Sequence, residues 1–269
     1  MDSAAPAPGG KNPGFFVRML GPLTIIRGQI PIELPASRKA RALLAYLALS
    51  PGAVGRGRLC DLLWDVPNDP RGELRWCLSK LRNILDEPQR PRVQASDDRV
   101  TLDLSGCLVD AFEVASAAAT GFATIDLDRL GALSRLFVGE FLEGLNIDRS
   151  PNFSAWLTAQ RRRFSACHAA ILEQLALKLP PGCEEASSRL EKWIEIAPFD
   201  RRAQSMLLSE LARQGKIAQG EEHLATTARL FESEGLDFAP IRAAWRSARQ
   251  GRPTHTRAAE PALGRPAEP

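Results

Sequence analysis

The residues best suited to binding a partner molecule lie along one side of a predicted helix. Residues 69–85 begin with Asp-Pro, a common helix start, and continue with leucines at three- and four-residue spacing. At about 100° per residue, these leucines fall within about 40° of one another. They are Leu74, Leu78, Leu81 and Leu85. The opposite side carries basic, hydroxyl, amide and indole groups, namely Arg71, Arg75, Trp76, Ser79, Lys80, Arg82 and Asn83.

Side chains of these types recognise the major groove of DNA. Arginine donates two parallel hydrogen bonds to guanine, asparagine pairs with adenine, and serine and lysine reach base edges or phosphates. A basic side on a single helix is more often only a solvated surface, so the pattern needs support from its surroundings. Trp76 is unusual there, since an exposed indole needs a partner. We expect it either to contact apolar groups of DNA or, as the favoured reading, to pack beneath a neighbouring hairpin.

Further basic residues mark the starts of two preceding predicted helices, 37–50 and 57–64, and a following hairpin with strands at 92–95 and 99–104. They include Arg38, Lys39, Arg56, Arg58, Arg92 and Arg99. Helix N-termini attract phosphate through their free N–H groups. Three short helices followed by a basic hairpin is the layout of a winged helix-turn-helix, in which the third helix enters the major groove. The combination therefore predicts DNA binding.

The rest of the sequence predicts a small β part and a long helical part. Strands are expected at 15–20, 23–26 and 30–34, and from residue 109 onward only helices are expected. These helices lie near 109–119, 126–138, 152–179, 184–196, 200–214, 216–234 and 239–250. Three residues are followed 34 residues later by three counterparts, and 34 residues is the period of tetratricopeptide units. The first three are Ala186, Leu190 and Trp193, and their counterparts are Gly220, Leu224 and Thr227.

The predicted fold is thus mainly α with a small β part: a winged helix-turn-helix domain followed by an all-α, tetratricopeptide-like helical domain. We expect a flexible tail at 1–14, the winged-helix domain at 15–105, the helical domain at 106–250, and a disordered tail or linker at 251–269. Residues 1–105 are accordingly expected to bind DNA on their own, without activating transcription.

Composition and motifs argue against several other classes of protein. The net charge of the 269 residues is only +3, but residues 1–105 carry 15 basic and 11 acidic side chains, and the remainder carries 20 and 21. The longest apolar run, Ala42 to Leu49, is too short to span a membrane. Five scattered cysteines form no CxxC pair, which indicates a reduced cytoplasmic chain without a metal site. We expect no cofactor, since nucleotide-binding glycine motifs are absent.

The histidines favour a protein that is not an enzyme. His168, His223 and His255 are the three in the chain, and no serine or cysteine triad stands out around them. Cys167 and His168 are adjacent on a predicted helix, so their side chains point about 100° apart. The alternative class that we retain is a helical-repeat scaffold whose winged domain mediates protein contacts.

Four segments carry a resemblance to a known family. They are Leu20-Gly21-Pro22-Leu23, the helix from Ser37 to Ala48, Arg58 to Trp64, and Leu74 to Arg82. Together they resemble the OmpR-type winged-helix domain of the SARP transcriptional activators, a domain type that also serves as the output domain of two-component systems. Residues 108–113 (Leu-Val-Asp-Ala-Phe-Glu), 197–202 and 221–236 are similar to that family's bacterial transcriptional activation domain.

The resemblance implies a cytoplasmic activator that associates with the nucleoid when it is bound to double-stranded DNA. It implies side-by-side protomers on direct repeats near promoters, and contact with RNA polymerase. By position, Arg75, Ser79, Lys80 and Arg82 match the recognition-helix pattern of the family. Lys80-Leu81-Arg82-Asn83 departs from the Arg-Arg that many relatives carry at this point.

Overall fold

A computed structural model describes residues 15–65 and 69–251. The chain packs as two compact units, and the boundary between them falls between Lys178 and Leu179. It is mainly helical with two small sheets, which confirms the predicted fold class. The predicted tail at 1–14 lies outside the described residues, and so does the tail predicted at 251–269 except for Gly251.

The first unit contains seven short strands and six α-helices within the described residues. The strands are β1 Phe15–Arg18, β2 Thr24–Arg27, β3 Ile30–Ile32, β4 Val54–Gly55, β5 Val93–Ser96, β6 Arg99–Leu102 and β7 Cys107–Val109. The helices are α1 Arg38–Leu49, α2 Arg56–Leu63, α3 Pro70–Leu85, α4 Asp110–Thr120, α5 Leu127–Ser134 and α6 Pro151–Lys178, with a 3-10 turn at Phe122–Thr124. Ser37 and Asp69 accept hydrogen bonds from the backbone N–H groups of Ala40 and Gly72, so the predicted helix starts are correct.

Two of the strands were not predicted because they are too short to show an alternating pattern. Strand β7 pairs in parallel with β1 at the edge of a sheet with the order β3-β2-β1-β7. Strand β4 pairs with β6 and joins the predicted hairpin of β5 and β6 in a second sheet. Each short strand forms because a partner strand satisfies its backbone groups.

Helix α3 has the amphipathic form that its leucine spacing predicts. Its four leucines and Cys77 are buried, and α1 and α2 pack against it. Behind it, Leu43, Leu59 and Leu63 are fully excluded from solvent. The hydrophobic contact fixes the rotation of α3 and turns its polar side outward.

The winged helix-turn-helix elements and the following helices α4–α6 share one compact unit. The carboxylate of Asp110 accepts hydrogen bonds from the backbone N–H groups of Met19 and Leu20 at 2.8–2.9 Å. The Ser150 hydroxyl donates to the Leu63 carbonyl at 2.7 Å, and the rings of Tyr46 and Trp156 meet edge to face at 5.3 Å. The compact unit therefore continues past residue 105, where the sequence places a domain boundary that stays a prediction.

A close backbone approach near β1 requires glycine. Gly21 has φ of 144°, and a Cβ there would lie 2.5 Å from a methyl carbon of Val138. The backbone N–H of Val138 donates to the Leu20 carbonyl at 2.9 Å, and that of Leu142 donates to the Met19 carbonyl at 2.8 Å. The segment after α5 thus completes the hydrogen bonding at the end of β1.

We expect Asp110→Ala to destabilise the chain by at least about 2 kcal/mol, because it leaves several buried N–H groups without an acceptor. Burial raises the pKa of Asp110 to about 6, against the opposing effect of backbone N–H donors. The folded state therefore holds this proton more tightly than the unfolded chain does. The stabilisation by Asp110 is full below the ordinary value of 3.8 and decreases as the pH rises through about 6.

Urea unfolding of both chains at pH values from below 3.8 to above 6 measures this effect. The difference in free energy of unfolding between the wild type and Asp110→Ala should narrow with rising pH over this range, by up to about 3 kcal/mol for a shift of about two pKa units. Asp128→Ala, at an exposed position in α5, is the control. A difference that stays constant or widens with rising pH would contradict the assignment.

The second unit consists of four described helices. They are α7 Glu184–Ile196, α8 Arg201–Arg213, α9 Ile217–Ser233 and α10 Ala239–Gln250. Short connections join them, and α8 packs against the other three, which is typical of antiparallel helix pairs. Gly220 is required by packing, since a Cβ there would lie 2.2 Å from the Trp245 ring. Ala186 and Gly220 are both buried, as are Trp193 and Thr227, so the 34-residue spacing relates positions on the buried sides of α7 and α9.

Candidate nucleic-acid interface

The outer side of α3 is polar. Six of its seven predicted site residues are exposed, namely Arg71, Arg75, Trp76, Ser79, Lys80 and Asn83. Four of them follow one another at intervals of four residues and so form a row along the helix: Arg71, Arg75, Ser79 and Asn83. At 1.5 Å per residue this row is about 18 Å long. The side chains of this row are exposed to solvent, where a nucleic acid can reach them.

Trp76 is 49% exposed, so the prediction that it packs beneath the hairpin is wrong. The ammonium of Lys80 lies over its ring, 5.3 Å from the centroid. The two residues are one helical turn apart, and their cation–π contact explains how an indole is retained on a polar helix side. Trp64, by contrast, is buried, and the ammonium of Lys39 lies 5.1 Å from its ring centroid.

Four more of the predicted residues, on α1, α2 and α3, differ in their exposure. Arg38 and Arg58 are exposed at the starts of α1 and α2, and Arg58 Nε donates to the Tyr46 hydroxyl at 3.1 Å. Arg56 is half-buried. Arg82 is also half-buried, and its Nε donates to the Val93 carbonyl at 3.2 Å, so it joins α3 to the hairpin. Only part of each half-buried guanidinium remains for another partner.

Arg92 requires a correction, because its side chain is only 3% exposed. One guanidinium nitrogen donates to the Asp103 carbonyl at 3.3 Å and to the Cys107 sulfur at 3.1 Å, and the other pairs with Glu87 at 3.3 Å. The guanidinium also lies over the Phe15 ring. Arg92 therefore stabilises the base of the hairpin from inside, and it is not available to DNA.

The tip of the hairpin is fixed to the start of α2. The Asp98 carbonyl accepts from the Arg56 backbone N–H at 2.7 Å, and Arg99 Nη2 donates to the Ala53 carbonyl at 2.8 Å. Arg99 is otherwise exposed. These contacts hold the hairpin, and with it Arg99, beside the N-terminal ends of α2 and α3.

Two exposed arginines of α3 lie near aspartates, which the charge balance of the sequence did not indicate. Arg71 Nη2 is 4.0 Å from Asp98 Oδ1, and Arg75 Nη2 is 3.8 Å from Asp69 Oδ2. The four side chains are 66–69% exposed. Ion pairs with this exposure contribute little to the stability of the fold.

A carboxylate at the base of the hairpin stays ionised over a wide pH range. Hydrogen bonds from the hydroxyl and the backbone N–H of Ser105 lower the pKa of Asp103 to about 2, and Arg90 also donates to it. Arg90 Nε lies 3.2 Å from Asp103 Oδ2. Arg90 is therefore paired with Asp103 at the base of the hairpin.

The two described histidines occupy packing positions. His168 is buried and stacks on Phe137 with ring centroids 4.0 Å apart. His223 Nε2 lies 2.6 Å from Gln204 Oε1, and burial lowers its pKa. Arg161, which lies in α6 as His168 does, donates to the carbonyls of Phe141 and Leu142 and so holds the segment before α6.

No helix in the ranges 15–65 and 69–251 is long and apolar enough to cross a membrane. The same ranges contain no cluster of three or more histidine, cysteine or acidic side chains arranged to hold a metal ion.

Comparisons with known proteins point to regulators. No protein-family model matches the chain. The chain is 29% identical to the regulatory protein AfsR of Streptomyces coelicolor in an alignment 265 positions long that covers 89% of the chain. It is also 29% identical to the regulatory protein AfsR of Streptomyces griseus in an alignment 232 positions long that covers 82% of the chain. The chain spans only 26% and 23% of the length of these two proteins.

A solved structure shares the fold. The chain superposes with a TM-score of 0.64 on EmbR of Mycobacterium tuberculosis, which was solved in complex with a low-affinity phosphopeptide. The match covers 91% of this chain and 67% of that one at 20% identity. The sequence similarity to the two AfsR proteins and the fold shared with EmbR confirm that this chain resembles the SARP family of regulators.

Proposed function

We propose that the chain is a sequence-specific DNA-binding transcriptional activator whose helix α3 reads the major groove. The observation that carries this proposal is the exposed row of arginine, serine and asparagine on α3, which lies away from its buried leucines. A row about 18 Å long can follow the groove across about five base pairs, which are 3.4 Å apart. The side chains in it are those that recognise base edges.

The residues around α3 support phosphate contacts. Arg38, Arg58 and Arg99 are exposed on the elements that flank it, while Arg56, Lys39 and Arg82 contribute partly exposed cations. In winged helix-turn-helix proteins such flanking groups fix the register of the recognition helix, and the base contacts determine the sequence. We assign Trp76 and Lys80 together to the groove, where the indole covers apolar base groups such as a thymine methyl.

We infer that the second unit mediates activation. Its residues 197–202 and 221–236 are similar to the activation domain of the SARP activators, and exposed apolar side chains lie beside Phe231. The Phe199 ring is 5.6 Å from the Phe231 ring, and the Leu236 backbone N–H donates to the Phe231 carbonyl. Exposed apolar groups on a helical repeat are suited to a protein partner, for which we propose RNA polymerase. We further propose that protomers bind side by side on direct repeats.

We infer a binding protein rather than an enzyme, acting in the cytoplasm where bacterial DNA lies. The positions of His168 and His223 support this, since both are engaged in packing or hydrogen bonding inside the helical units. The relatives named as regulatory proteins support it as well.

A salt titration of DNA binding tests the proposal. The duplex is first selected by the full chain from a random-sequence pool and is then compared with a random duplex in a gel-shift assay. If several cations neutralise phosphates, affinity should fall with a log–log slope of about −0.9 for each phosphate contact. The selected duplex should keep an advantage over the random duplex at every salt concentration.

Two results would contradict the proposal. Absence of binding to any duplex at low salt would exclude DNA binding and favour a protein-interaction scaffold. Equal affinity for the selected and random duplexes would exclude sequence-specific recognition by α3.

A further inference from the structure

The tip of the hairpin presents negative charge at the place where a DNA-binding wing would benefit from positive charge. Its turn consists of Asp97 and Asp98, and both side chains are exposed. Asp97 has φ of 47°, a left-handed conformation that aspartate and asparagine tolerate better than most residues. Asparagine would satisfy the same geometry without the charge, so the turn alone does not require a carboxylate.

The backbone holds these carboxylates close to the proposed interface. The Asp98 carbonyl binds the first N–H of α2, and β6 pairs with β4 immediately before that helix. The Asp98 side chain then lies 4.0 Å from the guanidinium of Arg71 at the start of α3. Movement of the tip away from incoming phosphates would therefore break the contact with Arg56 and the pairing of two strands.

We propose that Asp98 is a specificity-determining residue, and that Asp97 beside it weakens binding to DNA of any sequence. This inference rests on the proposed function of α3. Binding to random DNA depends on phosphate contacts, so two carboxylates at the interface reduce it directly. On the correct sequence the same repulsion operates, but Asp98 also has a favourable role, because its carboxylate attracts the Arg71 guanidinium 4.0 Å away and orients it beside the first turn of α3.

The two roles of Asp98 oppose each other only on the correct sequence. Removal of its charge relieves repulsion from phosphate on every duplex. On the selected duplex, the same change also releases Arg71 from its orienting partner and weakens its contact with the DNA. Affinity for random DNA should therefore increase more than affinity for the selected duplex. The affinity for the selected duplex divided by the affinity for random DNA should fall.

The test compares the full-length wild type, Asp98→Asn and Asp97→Asn on the selected and random duplexes over a series of salt concentrations. Asp98→Asn keeps the backbone carbonyl that binds Arg56, so a thermal melt should be unchanged. We expect its affinity for the random duplex to rise about fivefold, the effect of one unit charge about 4 Å from a phosphate in water. The increase on the selected duplex should be smaller. Asp97→Asn should raise the affinity for both duplexes by the same factor, because it leaves Arg71 beside Asp98.

Asp128→Asn is the matched control, because it removes the same charge from an exposed position in α5. It should bind both duplexes like the wild type. Unchanged random-DNA affinity in Asp98→Asn, an equal increase on both duplexes, or the same increase in Asp128→Asn would overturn this inference while leaving the proposed function intact. Failure of the wild type to bind any duplex would overturn both.

Discussion

A fragment that ends at Ser105 is expected to show no cooperative unfolding transition, whereas a fragment that ends at Lys178 should unfold cooperatively. The shorter fragment lacks β7 and therefore leaves an edge of β1 unpaired. It also lacks Asp110, the acceptor for two backbone N–H groups after β1. The longer fragment ends at the boundary of the compact unit and retains all of these contacts.

The energetic reason lies in the core that α4–α6 complete. Met19 and Leu20 are fully excluded from solvent, and the backbone after β1 is bonded to residues 138–143. Phe141 and Leu142, which are also buried, would be lost with that segment. Exposing a large apolar side chain costs about 1.5–3 kcal/mol, and a domain of this kind is stable by only about 5–15 kcal/mol. Several such losses, together with unsatisfied N–H groups, are comparable with the whole stability.

Urea unfolding followed by far-ultraviolet circular dichroism distinguishes the two fragments, with the full chain as reference. The fragment ending at Lys178 should also bind the selected duplex with the affinity of the full chain. A sharp transition and full DNA affinity for the fragment ending at Ser105 would show that the sequence-based boundary is also a folding boundary. The sequence predicts that residues 1–105 bind DNA on their own, whereas the structure leads us to expect that this fragment does not.

Arg75→Ala is expected to weaken binding to the selected duplex by about 1–3 kcal/mol and to relax the base preference at one position. Arg75 is the second residue in the row on α3, and 66% of its side chain is exposed. Its only ion pair among the described residues, with Asp69 at 3.8 Å, is exposed and weak. The substitution therefore removes a recognition group without removing a packing contact, and the stability of the fold should not change.

Gel-shift titrations on the selected and random duplexes measure this effect, and a second selection by the variant reports the base preference. Arg229→Ala, which removes an exposed arginine from α9 in the second unit, is the matched control and should bind like the wild type. Equal weakening on both duplexes, with a shallower salt dependence, would make Arg75 a phosphate contact. Unchanged binding would remove it from the interface.

Local features of this fold were predictable because neighbouring residues determine them. Asp69 followed by Pro70 starts α3 whatever lies around it, since the side chain caps the first turn and proline has no N–H to leave unpaired. The leucine spacing from Leu74 to Leu85 determines which side of the helix is buried, and thus which side carries the row of Arg71 and Arg75. The same reasoning correctly anticipated most helices of both units.

Features that depend on partners from distant parts of the chain were not predictable. Arg92 and Arg99 have the same chemistry in the same hairpin, yet one is buried against Phe15 and the other is exposed. In the net charge of the sequence, Asp98 is one acidic residue among many. It lies beside Arg71 only because the hairpin folds onto the start of α2. Trp76 was expected beneath the hairpin, but half of it lies outside, under Lys80.

The sequence by itself thus determined the helices, their caps and the side of α3 that faces outward, because these follow from spacing over one or two turns. Only the tertiary structure decided which cations reach that outer side, which carboxylates oppose them, and that the helices after residue 109 complete the core around β1. Each of these depends on contacts between residues that are far apart in the chain, such as Met19 with Asp110 and Leu63 with Ser150. Local periodicity carries no information about such contacts, since burial and electrostatic pairing depend on what the fold brings together.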